Sequence, residues 1–189
     1  MTRGKTAIAA IGAFLAVVLV LGGLLIVAGA YNVAADAQHT ALVRALIGYV
    51  RMRSIEVRAR DVAVPRLDNP RMIADGASDY DAMCTGCHLA PGLAENEMRS
   101  GLNPKPPILA RDRSDHAAEE FWIIKHGIKM TAMPAWGFTH SDGEIWNMVA
   151  FLQKLPALSP AQYRALVAQS GDHHAHEDRP APMDMSHMH

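Results

Sequence analysis

An uninterrupted apolar segment near the start of the chain limits what the chain can fold into. No charged side chain occurs between Thr6 and Ala35, and the run from Ala7 to Ala30 is almost wholly aliphatic. As a helix rising about 1.5 Å per residue, this run would span roughly 36 Å, enough for a hydrocarbon layer of about 30 Å. The run exceeds the roughly 7–15 apolar residues of a cleavable signal peptide, for which Ala28-Gly29-Ala30 would be the exit. We therefore predict an uncleaved transmembrane anchor over residues 1–31.

The next segment, residues 32–69, is rich in arginine and helical in pattern. It carries six Arg and four acidic residues, and its apolar residues recur at helical spacing from Leu42 to Val50. Arg44, Arg51 and Arg58 are seven residues apart and therefore lie on nearly one helix face. Two interpretations stay open: a solvated helix between anchor and domain, or a helix beside the membrane that contacts lipid phosphates or a partner protein.

Residues 70–158 are predicted to form a small all-α domain, because no run alternates as a strand would. Ser114 is a candidate N-cap, Ser141 to Glu144 form a capping-box pattern, and a Pro- and Gly-rich loop runs from Pro91 to Arg113. The predicted helices cover Gly76–Met83, Ala117–His126 and Ile145–Lys154. A domain this small buries only a modest core, so a further component should complete it.

Composition excludes two classes of protein. The net charge of −1 gives no sign of a basic nucleic-acid-binding face, and the apolar content of 50% excludes wholesale disorder.

The last segment, residues 159–189, begins with a helix capped by Ser159 that is predicted to reach about Ala168.

One motif carries the chemistry: Cys84-Thr85-Gly86-Cys87-His88 has the C-x-x-C-H spacing that attaches a c-type haem. Two thiols must reach two vinyl-derived carbons on one porphyrin edge, and two intervening residues span that gap. His88 would then lie beneath the ring, where its Nε2 can bind iron. A redox disulfide is disfavoured because no βαβ pattern surrounds the motif. A zinc site is disfavoured because no second Cys pair or finger-spaced His pair follows.

A low-spin electron carrier also needs a second axial ligand. Met133 is favoured because it lies in a loop between two predicted helices and is followed by Pro134, which stiffens the backbone. Met148 is expected in the core, and His126 and His140 are expected at the surface or as capping residues. The other candidates are Met98, Met130 and His116.

These elements together resemble class I monohaem cytochromes c, over about residues 70–158. Met133-Pro134-Ala135-Trp136 is similar to that family's M-P-x-aromatic ligand loop, and Gly76 and Tyr80 resemble its Gly/aromatic pair on the first helix. The resemblance implies that the carbonyl of Pro107 accepts the second N–H of His88. It also implies a helix-crossing surface formed by Trp146, Val149 and Phe151.

The resemblance implies one covalent haem c, with His88 and Met133 as axial ligands of the iron. Because both axial positions would be filled, we expect an electron carrier rather than an enzyme. The implied cofactor-binding residues are Cys84, Cys87, His88, Pro107, Met133 and Trp136. Further candidates for the pocket are Ile108, Leu109, Ile124, Val149 and Leu152, for which ordinary core packing is the preferred interpretation.

The resemblance also sets the expected location, because the charges flanking the apolar run leave its orientation undecided. Haem is attached to c-type proteins on the periplasmic side, so we expect a single-pass protein of a bacterial inner membrane with the haem domain in the periplasm. Its partners would be redox proteins. An alternative is a haem subunit of a larger membrane complex, such as a dehydrogenase or terminal oxidase.

The end of the chain carries a second pattern, in which histidines and methionines cluster. Pro180 and Pro182 disfavour regular structure, so a disordered tail is predicted. The alternative is a copper-handling tail, since imidazole and thioether suit Cu(II) and Cu(I) respectively. Its candidate ligands are His173, His174, His176, Met183, Met185, His187, Met188 and His189.

Overall fold

The computed structural model describes residues 2–111 and 115–171. Over these residues the chain forms helices and no strand, which confirms the predicted all-α class. The predicted cap Ser114 and the His/Met-rich tail lie outside the described residues. The helices are α1 (Thr2–Val27), α2 (Ala41–Ala59), α3 (Pro70–Met83), α4 (Thr85–His88), α5 (Glu97–Ser100), α6 (Ala117–His126), α7 (Asp142–Leu152) and α8 (Pro160–Gly171), with 3-10 turns at Trp136–Phe138 and Leu155–Ala157.

The chain divides into two compact units, Met1–Gln38 and His39–His189. The first unit contains α1, whose stretch Gly4–Val27 has a mean hydropathy of 2.9 and contains no buried residue. Among the described residues this is the one helix long and apolar enough to cross a membrane. A signal sequence near an N-terminus has the same properties, so the uncleaved anchor stays a prediction.

In the second unit, α3 is longer than the sequence pattern predicted. It begins at Pro70 rather than Gly76, because Asn69 caps it through a hydrogen bond from the Arg71 amide to Oδ1 (2.9 Å). Proline fits the first helical position, where its missing N–H has no intrahelical partner. Pro70 therefore starts a helix.

The capping signals of the later helices are mostly confirmed. The Ser141 hydroxyl accepts from the Glu144 amide while the Glu144 carboxylate accepts from the Ser141 amide, which is the predicted capping box. Ser159 and Gln162 form a similar reciprocal pair before α8, which continues past Ala168 to Gly171. α7 ends at Leu152, two residues earlier than predicted. α5 is a short helix inside the predicted Pro91–Arg113 loop.

The crossing of α3 and α7 is the most extensive helix contact in the domain. A Cβ at Gly76 would lie 2.0 Å from the Asn147 carbonyl oxygen, so only glycine allows the two backbones to approach this closely. Tyr80, one turn further along, packs against Phe151 with ring centroids 5.2 Å apart. Its hydroxyl donates to the Leu89 carbonyl oxygen (2.6 Å). The predicted Gly76/Tyr80 pair therefore sits at this crossing.

A second cluster of buried side chains comes from α6 and α7, with Phe121, Ile145 and Met148 among its members. Trp146 belongs to this side, because it stacks on Phe121 with centroids 4.2 Å apart. Val149 is also part of this cluster, whereas Phe151 packs in the cluster with α3 and α8. Of the crossing surface predicted from Trp146, Val149 and Phe151, Phe151 packs against Tyr80 of α3, whereas the prediction is wrong for Trp146, which packs against α6.

Candidate functional site

An apolar cavity of about 580 Å³ opens on the α6 side of the domain. Its volume lies within the range of small-molecule and cofactor sites. The side chains that line it are mainly aliphatic, aromatic or proline, and they come from α2, α4, α6, the last residues of α3 and α7, and the loops before and after α6. All six residues predicted to bind the cofactor line it: Cys84, Cys87, His88, Pro107, Met133 and Trp136.

The C-x-x-C-H motif forms one helical turn at the wall of this cavity. The Cys84 carbonyl oxygen accepts from the amides of Cys87 (3.1 Å) and His88 (2.8 Å). Residues three and four apart on a helix point to the same side, so the two thiols and the imidazole are presented together. The turn ends at Leu89, whose φ of 60° reverses the backbone.

His88 is oriented by the contact that the resemblance implied. Its Nδ1 lies 3.0 Å from the Pro107 carbonyl oxygen. A carbonyl can only accept, so Nδ1 carries the proton and Nε2 keeps a free lone pair. Burial lowers the pKa of His88, which the hydrogen bond to Pro107 opposes and the charge of Arg99 reinforces. Both the burial and the hydrogen bond to Nδ1 thus leave Nε2 suited to bind a metal, which requires the neutral form of the imidazole.

Arg99 holds the loop that orients His88, although nothing in the sequence analysis singled it out. Its side chain is 5% exposed, and its Nη1 donates to both carboxylate oxygens of Glu95 (2.7 and 2.6 Å). Its Nη2 donates to the Pro106 carbonyl oxygen (2.6 Å), next to the carbonyl that holds His88. The i, i+4 spacing of Glu95 and Arg99 was the available signal.

Met133 is held at the cavity by a loop that folds back on the end of α6. Gly127 has φ of +64°, and a Cβ there would lie 2.7–2.8 Å from backbone atoms of Met133, Pro134 and Ala135. The Ile128 amide donates to the Met133 carbonyl (3.2 Å), and the Met133 amide donates to the Thr131 hydroxyl (3.1 Å). Gly127 and Thr131 are therefore positioning residues that the sequence analysis missed.

The other candidate axial ligands lie away from the cavity. Met130 is 99% exposed, Met98 is 56% exposed beside Gly86, and Met148 is buried in the core as predicted. His126 is exposed and His140 is half-buried beside Trp136, while the side chain of His116 is 70% exposed. Of the candidates within the described residues, Met133 alone lines the cavity.

The rest of the lining differs in part from the expected pocket. Leu109, Ile124 and Leu152 line the cavity, so ordinary core packing does not describe them fully. Ile108 and Val149 are not in the lining, and Val149 is completely buried in the core.

An unexpected part of the wall comes from the segment before the domain. Arg51, Met52 and Ile55 of α2 line the cavity, although the sequence pattern predicted a solvated or membrane-interfacial helix. Ile55 is 2% exposed and Ala59 is 1% exposed. The four-residue spacing of Arg51, Ile55 and Ala59 was the signal that could have indicated a packed face.

The two alternative interpretations of the cysteines fit this geometry poorly. Burial, together with the charges of Asp79 and Cys87, raises the pKa of Cys84 to about 12. Redox-active cysteines show the opposite shift. Over residues 2–111 and 115–171, no three His, Cys, Asp or Glu side chains are grouped to hold a metal ion, which argues against a zinc site there.

The site is thus an apolar cavity that gathers two thiols, a neutral imidazole and a thioether, which is the donor set of a c-type cytochrome. Residues 71–152 match a family model described as cytochrome C oxidase, cbb3-type, subunit III. The match covers fewer than half of the 189 residues and supports a cytochrome c domain over that range. No curated protein and no solved structure gave a significant match.

The copper hypothesis gains no support from the structure or the comparisons. Its eight candidate ligands, from His173 to His189, lie outside the described residues.

Proposed function

We propose that the domain binds one covalent haem c and transfers single electrons. The observation that carries this proposal is the convergence of Cys84, Cys87, His88 and Met133 on one apolar cavity. The match of residues 71–152 supports a haem-binding electron-transfer cytochrome in general terms.

When bound, haem c supplies a one-electron iron couple. Cys84 and Cys87 would hold it through thioether bonds, while His88 and Met133 would occupy the two axial positions. A methionine sulfur raises the reduction potential relative to a second histidine. The Pro107 carbonyl keeps the His88 ring in one orientation and one tautomer. If the protein supplies both an imidazole and a thioether to the iron, we expect the domain to act as a carrier rather than a catalyst.

The test is an optical spectrum with pyridine haemochrome analysis of full-length protein matured in a host that attaches c-type haem. We expect one c-type haem per chain, retained after denaturation and low-spin before it. A colourless protein with both cysteines recovered as thiols would contradict the proposal.

We also propose that α1 anchors the chain in a bacterial inner membrane, with the haem domain in the periplasm. The apolar exterior of α1 supports the anchor, and periplasmic attachment of c-type haem supports the orientation. Intact mass and protease accessibility in spheroplasts test this. The proposal predicts a full-length mass and digestion of the haem domain by protease added to spheroplasts. A mass that corresponds to cleavage near Ala30 would indicate a signal peptide.

A second candidate is a haem subunit of a membrane oxidase complex. The description of the matching family favours it, and so does the apolar surface at the start of α2, where Leu42, Leu46, Tyr49 and Val50 are 58–79% exposed. Exposed apolar patches of this kind mark protein or membrane contacts. Native mass after mild detergent extraction distinguishes the two candidates: co-purifying subunits favour the complex, and a lone monomer favours the free carrier.

A further inference from the structure

The helix α2 lies outside the residues that match the family model, yet it builds one wall of the cavity. Its contact face is the row Arg51, Ile55 and Ala59, spaced four residues apart, and this face packs towards α6. Ile55 and Ala59 are almost fully buried and Arg51 is half-buried. Arg44 and Arg58, which share the seven-residue spacing with Arg51, are exposed. Of these three arginines, Arg51 is the one that lines the cavity.

The charges around the cavity distinguish Arg51 further. Besides Arg51, the described lining contains two strongly charged residues, Lys105 and Glu120. Lys105 is paired with Glu95 (2.6 Å), and Glu120 accepts from the Gln153 amide group (2.6 Å). Arg51 makes no ion pair or hydrogen bond with any residue that the structure describes. A guanidinium beside an apolar cavity is therefore left with its donors available.

We propose that Arg51 binds a propionate carboxylate of the haem, so that the Arg-rich helix before the domain is part of the haem site. This inference rests on the proposed function. A haem carries two carboxylates, and the planar fork of an arginine side chain matches a carboxylate better than any other cation in a protein. Met52 and Ile55 supply apolar contacts on the same wall.

The contact has a measurable electrical consequence. A positive charge held near the haem disfavours the oxidised iron, which carries the extra positive charge, and so favours reduction. Removing the charge of Arg51 should lower the reduction potential. The iron ligands would remain in place, because Arg51 touches neither His88 nor Met133 through any hydrogen bond.

The experiment is a redox titration of full-length holoprotein in detergent, comparing Arg51→Gln with wild type. We expect the equilibrium constant for reduction to fall about two- to fivefold, the size of effect that one partly screened charge produces. The visible spectrum should stay that of wild type. Arg51→Lys should restore at least half of the shift, and Arg51→Glu should roughly double it on a logarithmic scale, because the charge then changes by two.

The matched control is Arg53→Gln. Arg53 lies on the same helix but pairs with Glu56 at the surface (2.9 Å) and does not line the cavity. We expect a change of less than about 1.5-fold, because its charge is exposed to solvent and screened. Equal shifts in Arg51→Gln and Arg53→Gln would overturn the inference, since they would reflect only the net charge of the helix.

The same measurements separate this inference from the function on which it rests. If wild-type protein lacks a c-type haem spectrum, the proposed function fails. If wild type and Arg51→Gln carry the same haem at the same potential, the function stands and the role of Arg51 is refuted.

Discussion

The two faces of α7 pack against different parts of the domain. On one face, Phe151 joins Tyr80 and Leu155 in a cluster whose members are 0–5% exposed. On the other, Ile145 and Val149 are fully buried, but the neighbouring Met133, Trp136 and Leu152 are only half-buried and border the cavity. The buried side chains of the first cluster pack against one another, and Cys84, Leu109 and Leu152 separate this cluster from the cavity that they also line. The second face leaves room for an apolar cofactor. Changes on the first face should therefore affect folding, and changes on the second should affect haem.

The largest effect is expected from Gly76→Ala, which would disrupt the closed face, the side of α7 that packs against α3 through Phe151. The added Cβ would lie 2.0 Å from the Asn147 carbonyl oxygen and 2.3 Å from its carbon, both backbone atoms that cannot rotate away. The helices must separate, which we expect to destabilise the domain by about 3 kcal/mol or more. Urea unfolding followed by circular dichroism measures this.

Gly143→Ala is the control for that substitution. Gly143 lies in the first turn of α7, and the nearest atom to an added Cβ is the Ser141 Oγ at 3.8 Å. Alanine favours a helix over glycine, so the midpoint should stay or rise slightly. Similar losses in both variants would mean that the crossing does not depend on the absence of a side chain at Gly76.

The next largest effect is expected from Met133→Ala, on the open face, the side of α7 that borders the cavity. Loss of the proposed axial sulfur should abolish the sulfur-to-iron charge-transfer band, lower the reduction potential, and cost about 2 kcal/mol of stability from lost burial. The α3 and α7 crossing should remain intact. Absorption spectra near the band and urea unfolding report the two effects separately.

Met130→Ala is the matched control, because Met130 lies in the same loop but is 99% exposed with φ of 57°. Alanine has the same difficulty with that backbone conformation, so neither band nor stability should change. If the band survives in Met133→Ala and disappears in Met130→Ala, the two methionines have been assigned in the wrong order.

The parts of the fold and site that were predictable from sequence depend on short-range spacing. The capping box of Ser141 and Glu144 follows from residues three apart. The grouping of Cys84, Cys87 and His88 follows from one pentapeptide, although the helical turn they form was not predicted, and the Met133 loop follows from its position between two helices. In each case, the determining contacts join residues that are close in the sequence.

The parts that were missed depend on contacts between distant segments. The cavity wall from α2 needs Ile55 to reach α6, which no local pattern specifies. Trp146 was assigned to the wrong face of α7 because its stacking partner, Phe121, lies on another helix. The bond from Arg99 to the Pro106 carbonyl depends on how the loop folds back. Helical periodicity shows that a face is buried but does not identify its partner.

A smaller effect is expected from Tyr80→Phe, which alters the closed face without opening it. The Tyr80 hydroxyl donates to the Leu89 carbonyl oxygen at 2.6 Å, and both residues are buried. Burial raises the pKa of Tyr80 far above its usual range, so the hydroxyl is a neutral donor at any physiological pH. Losing it leaves the carbonyl unpaired and should cost about 1–2 kcal/mol.

Urea unfolding checks this, with Tyr49→Phe as the control, since Tyr49 is 70% exposed on α2. The haem spectrum should be unchanged in both variants, because Tyr80 does not line the cavity. A spectral change in Tyr80→Phe would show that the two faces of α7 are not independent.

The smallest effect concerns pH and the support behind His88. Hydrogen bonds from Lys105 first, and then from Arg99, lower the pKa of Glu95 below its ordinary value of 4.5. A carboxylate whose pKa is lower in the folded state stabilises the protein above its unfolded pKa, and this contribution disappears as the pH falls through the folded pKa. Glu95→Gln should therefore lower the urea midpoint slightly at neutral pH, and the two proteins should converge in acid, where protonated Glu95 is as neutral as Gln.

Glu97→Gln is the comparison for that pH series, because Glu97 is also exposed and lies two residues away at the start of α5. Comparing the two variants separates the loss of the Lys105 and Arg99 contacts from the loss of one exposed carboxylate in this segment. Arg99 is 5% exposed on its side chain and joins the Glu95 carboxylate to the Pro106 carbonyl. The effect of Glu95 should therefore appear as a loss of order beside His88, detectable by amide hydrogen exchange at Ile108 and Leu109. A difference between wild type and Glu95→Gln that stays constant from neutral to acid pH would show that the side chain acts through shape, and that its charge plays no part in holding this wall of the cavity.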